Sequence, residues 1–412
     1  MPTDATRHAD LLSYRAEFPL LGASVYLNTC SLGARSERSR ERLERFLGDW
    51  DSLGARAWYD RWLGELDALR EDFGAVIGVP GHEISLASNV SGALAVIASA
   101  LDPLHRGDPA SLARLRDAGL PAGEGARTRV ITTALDFPTL GHQWLARAPL
   151  GVELVVVPSA DGVTVPTEAI VGEIDERTAL VATGHVYFTT GAMADLPALA
   201  AACHGRGALL LIDAYQATGL VPTDVVAAGI DVYVSGTLKW LFGGSGTAFA
   251  WVRPALHEAL RPTTTGWFSS ARQFDFAVDD LAFAAGGRRY ELGTPSVPSA
   301  AIARGGTELV REIGVERLGE RTRDLGDLLI GLAEQRGMRV ATVREASRRG
   351  GIVPIRVRDP KPIVDALAAE GIIVDYRPGI VRCSPAFYTT EDELRLLVER
   401  LDHLVPTEDR LS

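Results

Sequence analysis

The chain has 412 residues, of which 46% are hydrophobic and 23% charged, and its formal net charge is −11. A chain of this length buries a large core, and we expect two domains. Its acidic balance argues against nucleic-acid and anionic-membrane partners, because both would repel it.

No apolar run reaches the length of a membrane-spanning helix, and Asp4, Asp10 and Glu17 stand where a signal peptide is basic and then apolar. We therefore expect a soluble protein of the cytoplasm. The three cysteines are far apart and lack metal-ligand spacing, so they are predicted to be reduced thiols without a metal: Cys30, Cys203 and Cys383.

Seven short β-rich runs alternate with helical stretches in the first two thirds of the chain. Continuous apolar runs such as Leu-Leu-Leu-Ile at 209–212 are typical of strands buried on both faces, which predicts a mostly parallel sheet covered by helices. We expect a large α/β domain over residues 21–285, with residues 102–129 as a solvated insertion. The predicted strands are 84–87, 130–133, 153–157, 179–182, 208–213, 231–234 and 248–252.

The rest of the chain predicts a smaller α+β domain. Helices are expected around 300–313 and 316–336, strands near 352–357 and 380–384, and a closing helix over 391–404. Together with residues 1–20, residues 286–412 are predicted to form this second domain.

Of the 42 basic residues only two are lysines, Lys239 and Lys361. A chain that uses arginine almost everywhere is expected to keep lysine where a deprotonable primary amine is needed, as in imine formation. Lys361 lies in a polar turn and is interpreted as incidental. Lys239 follows a predicted strand and precedes a glycine cluster, which makes it the candidate for covalent chemistry.

An acidic residue ends the most hydrophobic predicted strand. Asp213 therefore lies at the edge where open parallel sheets bind ligands. A buried carboxylate there requires a cation, such as a protonated pyridine nitrogen, although a simple helix N-cap is the alternative. Gln216 follows in a tight turn, close enough to reach a cofactor hydroxyl.

Further candidates also stand at strand ends. Val90 and Ser91 open a helical run, where backbone amides and the helix dipole favour an anion, although a simple cap is the alternative. Phe137 is placed to stack on a ring or to join the core, and Ser235 and Thr237 are placed to donate to a phosphate. An amine, an acid, an anion site and an aromatic face are what pyridoxal 5'-phosphate (PLP) requires, so PLP is the predicted cofactor.

Over roughly residues 20–405 the chain resembles the class V aminotransferase superfamily of fold-type I PLP enzymes. The strongest marks are Asp-x-x-Gln at 213–216 and Ser-Gly-x-x-Lys-Trp-Leu-x-Gly-Gly at 235–244. Within that superfamily, other segments look most like kynureninase: Tyr-Leu-Asn-Thr-Cys-Ser-Leu-Gly at 26–33, Phe-Pro-Thr at 137–139, Gly-Trp-Phe at 266–268, Gly-Thr-Pro-Ser at 293–296 and Asp-Tyr-Arg-Pro-Gly-Ile-Val-Arg at 375–382.

The resemblance implies a large domain with a mostly parallel seven-stranded sheet and a small α+β C-terminal domain. It implies that Asp213 pairs with the pyridine nitrogen, Phe137 stacks, and Lys239 holds the cofactor as a Schiff base. It further implies that the α-carboxylate of the substrate is bound by Arg382. Two more residues, Trp267 and Thr294, would reach the phosphate of the neighbouring subunit, which requires a homodimer.

The chain also departs from these families. Kynureninases carry a tyrosine before the Schiff-base lysine and an aspartate soon after Phe-Pro-Thr, where this chain has Leu238 and Leu140. Cysteine desulfurases carry a catalytic cysteine on a long loop before the carboxylate-binding arginine, and residues 374–382 are too short for that loop. Cys383 alternates to the strand face opposite Arg382, which favours packing.

The expected function is that of a PLP enzyme acting on an α-amino acid, with Lys239 moving the Cα proton. A kynureninase-like lyase or hydrolase that breaks a bond at Cβ is the first interpretation, and transamination is the second. Epimerisation, decarboxylation and oxidative deamination stay open, as does a non-enzymatic binding protein on the same fold. A Rossmann dehydrogenase would need Gly-x-Gly-x-x-Gly directly after a strand, and the glycine cluster lies beyond Lys239 instead.

Overall fold

The computed structural model describes residues 8–410, so residues 1–7, with Asp4, and 411–412 lie outside the described part. Within that part the strands are β1 (Val25–Tyr26), β2 (Ile84–Ala87), β3 (Arg129–Thr133), β4 (Glu153–Val157), β5 (Thr178–Gly184), β6 (Leu209–Asp213), β7 (Val232–Gly236), β8 (Ala248–Val252), β9 (Val353–Arg356), β10 (Ile372–Ile373), β11 (Asp375–Arg377) and β12 (Ile380–Cys383). The α-helices are α1 (Glu37–Leu53), α2 (Leu63–Ile77), α3 (Val90–His105), α4 (Pro109–Asp117), α5 (Pro138–Leu145), α6 (Thr167–Val171), α7 (Leu196–Gly205), α8 (Val297–Ile313), α9 (Val315–Gln335), α10 (Pro360–Ala369) and α11 (Glu391–Leu404).

A seven-stranded sheet, in the order β2-β8-β7-β6-β5-β3-β4, forms the centre of the large unit. Neighbouring strands are parallel except at β8, which runs antiparallel to both β2 and β7. Every residue of β5, β6, β7 and β8 is buried, as their continuous apolar sequences predict. The predicted α/β fold with a mostly parallel seven-stranded sheet is confirmed.

Parallel pairing places the ends of β5, β6 and β7, and the candidate site residues that follow them, at one edge of this sheet. Asp213 at the end of β6 pairs with Gly184 of β5 on one side and with Val234 of β7 on the other. The loops that leave β5, β6 and β7 therefore start side by side, as ligand-binding loops do in open parallel sheets.

The C-terminal part has a separate core. Its antiparallel sheet has the order β11-β12-β9, and buried side chains of α9, α10 and α11 pack with those strands. This confirms the predicted small α+β unit. Helix α8 packs instead on α1 and α2, and the separate core begins near Leu325 within α9. The domain boundary at residue 286 stays a prediction.

Residues 102–129 correct one expectation. This segment is only partly exposed: α3 extends to His105, and α4 packs Leu112 and Leu115 into the core cluster of the sheet. Arg127 is also buried, and its guanidinium donates to the carbonyls of Thr178 and Arg206. Pro109 begins α4, and Arg116 and Arg127 donate to backbone carbonyls. The segment is an integral part of the large unit.

We predict that Leu115→Ala lowers the free energy of unfolding by about 2–5 kcal/mol, because it leaves a cavity in a packed core. Urea denaturation measures the change. Glu124→Ala, at an exposed position of the same segment, is the matched control and should be nearly neutral. If both substitutions changed the free energy of unfolding by equal, small amounts, the segment would instead be a loosely attached insertion.

Candidate active site

A cavity of about 240 Å³ lies at the carboxyl edge of the sheet. It is lined by residues from the loops after β3, β5, β6 and β7 and from the C-terminal unit. Among the predicted site residues it brings together Phe137, Asp213, Gln216, Lys239 and Arg382. Leu140 and Leu238, the two departures from the kynureninase pattern, line the same cavity.

Asp213 and Lys239 carry the charge at the base of this cavity. Asp213 accepts a hydrogen bond from the Tyr215 amide at 3.0 Å, and burial raises the pKa of its carboxyl group. The Lys239 ammonium lies 4.4 Å from the centre of the Tyr215 ring, a cation–π distance. Burial lowers the pKa of Lys239 to about 8, although the charge of Asp213 opposes the shift. A neutral, nucleophilic amine is therefore accessible near neutral pH.

Gln216 is held by two neighbours. Its Nε2 donates to the Cys30 carbonyl at 2.9 Å, and its Oε1 accepts from Trp240 Nε1 at 3.0 Å. These bonds fix the side-chain amide at the cavity wall and join the N-terminal loop to the sheet. Since Nε2 carries two hydrogens, one remains for a cofactor hydroxyl.

Phe137 presents a ring in a fixed turn. The ring is 46% exposed and makes an edge contact with Phe188, with 5.2 Å between ring centroids. The preceding Asp136 is partly buried and accepts from the Thr133 amide at 2.8 Å and the Gly184 amide at 2.6 Å. Burial raises the pKa of Asp136 to about 6, although these hydrogen bonds oppose the rise. The turn is rigid, and the exposed face of Phe137 suits a planar cofactor.

Two helices begin beside each other in the region predicted to bind phosphate. Asn89 caps α3 by accepting from the Gly92 amide at 2.8 Å, and Val90 contributes only backbone there because its side chain is buried. Ser91 Oγ lies 3.2 Å from Oγ1 of Thr139, in the first turn of α5. Two helix N-termini with hydroxyls between them match the chemistry of a phosphate site.

The predicted roles of Ser235 and Thr237 are not supported by their contacts. The hydroxyl of Ser235 donates to the Ala214 carbonyl, and that of Thr237 contacts the carbonyls of Gly244 and Thr247. Both side chains are fully buried and hold the loop that carries Lys239. Their hydroxyl protons are therefore already used within the fold.

Trp267 and Thr294 lie away from the Lys239 cavity. They line a separate cavity of about 180 Å³ with other aromatic residues, and Trp267 stacks on Phe276 at 5.9 Å between ring centroids. Thr294 also borders the cleft beside Ser88 and Asn89, next to the start of α3. Within one chain, neither residue reaches Lys239.

Sequence reasoning missed Tyr215 and Phe188, which line the cavity, and Asp375, which pairs with Arg382. Tyr215 stands inside the Asp-x-x-Gln motif, so its position was a usable signal. Asp375 contacts Arg382 because the Pro378-Gly379 turn pairs the two residues across β11 and β12. That two-residue hairpin loop was readable from the sequence. Phe188 reaches the site through tertiary packing, for which no local signal exists.

These features define the class of protein: a buried acid, a partly neutral lysine, an exposed aromatic face and paired helix N-termini fit PLP. The model of the family "Aminotransferase class-V" matches residues 118–397, and the chain belongs to that family. It is a PLP-dependent enzyme of the fold-type I class.

Relatives that are similar over nearly their full length carry different names. An uncharacterized aminotransferase, YcbU, of Bacillus subtilis (strain 168) is 29% identical, covering 94% of this chain and 96% of its own length. A kynureninase of Pseudomonas fluorescens is 30% identical, covering 95% of this chain and 92% of its own.

Solved structures share the fold. The apo cysteine desulfurase of Thermococcus onnurineus NA1 has a TM-score of 0.81 at 18% identity, covering 95% of this chain and 97% of its own. The cystine C-S lyase C-DES, in complex with its reaction product cysteine persulfide, has a TM-score of 0.81 at 21% identity, covering 94% of this chain and 100% of its own.

We predict a pH dependence for the covalent attachment of PLP to cofactor-free protein. Only the neutral amine reacts, so the rate should rise about tenfold from pH 6 to pH 7 and level off above pH 8, because burial lowers the pKa of Lys239 to about 8. Stopped-flow absorbance measures it. In Asp213→Asn the plateau should begin at lower pH, since the opposing charge is gone. A rate that keeps rising with pH up to the ordinary lysine pKa of 10.5 would contradict the assignment of Lys239 as the reacting amine.

Proposed function

We propose that this enzyme transfers the amino group of an α-amino acid, with Lys239 moving the proton at Cα. The observation that carries the proposal is the cavity itself, in which the Lys239 amine faces Asp213 while Leu140 and Leu238 form apolar wall. Bound PLP supplies an electron sink for the carbanion at Cα. Transamination needs proton transfer at Cα and a water molecule that releases the keto acid, and the Lys239 amine can serve as the base for both, so no further acid or base is required of the leucine wall.

The site residues have separate roles in this proposal. Asp213 holds a positive charge on the pyridine nitrogen, since a buried carboxylate without a cation would be costly. Phe137 stacks on the ring, Gln216 donates to its hydroxyl, and the α3 and α5 N-termini with Ser91 bind the phosphate. Arg382, which is buried and lines the cavity, binds the α-carboxylate of the substrate.

Cleavage at Cβ, the first interpretation from the sequence, becomes the second candidate. It is favoured by the similarity to kynureninase and by the Tyr215 phenol, which lines the cavity as a candidate acid. Leu140 and Leu238 argue against its hydrolytic form, because neither can orient water. Persulfide chemistry at Cys383 is disfavoured, since that residue is fully buried and burial raises the pKa of its thiol.

We predict that the holoenzyme converts one or more common α-amino acids to keto acids only when an α-keto acid acceptor is present. Lys239→Ala should abolish turnover and the PLP that borohydride fixes to the chain, because no other amine among residues 8–410 lines the cavity. Lys361→Ala is the matched control and should keep both. Product formation without an acceptor would favour the lyase, and PLP fixed to Lys361 in the parent would overturn the assignment of Lys239.

We further propose a homodimer in which Trp267 and Thr294 of each chain complete the other site. An apolar surface around Trp267 supports it: Tyr59 is 69% exposed, Phe276 is 70% exposed and Val278 is fully exposed. Contiguous apolar surface of this kind marks an interface. Two-fold symmetry would bring each such surface to the partner's site.

We predict a dimer at micromolar concentration in analytical ultracentrifugation. Val278→Asp should raise the dimer dissociation constant by at least about tenfold, because it buries an unpaired charge. Val226→Asp, at an exposed valine elsewhere, is the control and should leave the constant unchanged. An active monomeric parent would refute the composite site.

A cytoplasmic location stays a proposal. All three cysteines are free and buried, which accords with a reducing compartment. Among residues 8–410, no helix is both long and apolar enough to cross a membrane.

A further inference from the structure

The arginine assigned to the substrate carboxylate already has an internal carboxylate partner. Arg382 Nη2 pairs with Oδ2 of Asp375, which lies directly opposite it in the β11–β12 hairpin. Ser31 contacts both, accepting from Arg382 Nη2 at 2.8 Å and donating to Asp375 at 2.5 Å. Asp375 therefore occupies one carboxylate-binding side of this guanidinium.

A second arginine shares the same aspartate. Arg377 Nη1 lies 2.9 Å from Asp375 Oδ2, and both guanidiniums line the cavity that holds Lys239. Two positive charges and one negative charge leave the cluster with one unmatched positive charge. One substrate carboxylate would neutralise it.

The remaining donors of Arg382 show where that carboxylate would bind. Nη1 donates to the Phe188 carbonyl at 2.6 Å, and Nη2 is shared by Ser31 and Asp375. Within residues 8–410, buried Nε of Arg382 has no hydrogen-bond partner. A bidentate grip through Nε and Nη2 needs Nη2 to be released by Asp375.

We propose that Asp375 is a positioning and specificity-determining residue, which holds Arg382 until a substrate carboxylate replaces it and then pairs with Arg377 alone. This inference rests on the proposed amino-acid binding through Arg382. Once Asp375 has moved, both arginines are neutralised. The site then has no spare cation for a second carboxylate, so it selects α-amino acids with uncharged side chains over acidic ones.

Asp375 stays charged for this exchange. Burial alone would raise the pKa of its carboxyl group, but the Ser31 hydrogen bond and the charge of Arg382 hold that pKa below its ordinary value. The apolar residues Leu135, Leu140, Val186 and Leu238, which line the same cavity as the two arginines, also suit an uncharged substrate side chain.

Calorimetric titration of the PLP-loaded enzyme with two amine-free probes tests the exchange: 3-phenylpropanoate has one carboxylate and glutarate has two. Asp375→Asn should bind 3-phenylpropanoate about tenfold and glutarate about a hundredfold more tightly than the parent. The substitution frees Arg382 for the one carboxylate of 3-phenylpropanoate, and both Arg382 and Arg377 for the two carboxylates of glutarate. Asp375→Asn with Arg377→Gln should lose the additional glutarate gain and keep the tenfold gain.

Asp375→Glu should bind as the parent does, and Asp365→Asn, at an exposed aspartate of the same unit, is the neutral control. If Asp375→Asn does not fold, Asp375→Ser gives the same comparison. The inference would be overturned if Asp375→Asn bound both probes with the same affinity as the parent. It would also be overturned if the additional gain in glutarate affinity persisted in the double variant that lacks Arg377. Borohydride fixation of PLP at Lys239 in the same preparations tests the proposed function separately.

Discussion

A buried carboxylate at the end of β6 is the constraint on which the site depends. Parallel pairing fixes Asp213 between Gly184 and Val234, at an edge where water is largely excluded. The exclusion that raises the pKa of Asp213 also lowers that of Lys239. Burial disfavours each group as an isolated ion, so the edge favours a cationic ring beside the acid and a reactive amine after the next strand.

Those two residues were predictable because their signals are local. A wholly apolar strand ending in aspartate and a rare lysine before a glycine cluster need no tertiary information, and the strand pattern established the sheet. The phosphate roles of Ser235 and Thr237 stay predictions, and their contacts with backbone carbonyls could not be read from the sequence because they depend on how the chain folds around them, as at the Ala214 carbonyl. The composition of residues 102–129 suggests only exposure, because it does not reveal that Leu112 and Leu115 share one buried helix face.

The fold by itself says little about the reaction. Solved structures that align over nearly the whole chain include a desulfurase and a cystine lyase, at 18% and 21% identity. The chemistry must therefore be argued from the wall of the cavity. Here the wall combines two leucines near Lys239 with two arginines that share one aspartate. Gln216 also connects the loop that carries Ser31 to the sheet. Hydrogen bonds thus connect the loop next to Arg382 with the loop that follows Asp213.

The scarcity of lysine also limits unwanted adducts. PLP is an aldehyde, and it modifies any neutral, exposed lysine side chain as a reducing sugar does in glycation. Lys361, the second lysine, is exposed, but it donates to Asp365 at 2.6 Å, and that hydrogen bond raises the pKa of its amine. This hydrogen bond favours the protonated form of the amine, which does not form an imine. Because guanidinium groups do not form imines with PLP, a surface whose cations are almost all arginine offers excess cofactor few amines with which to react.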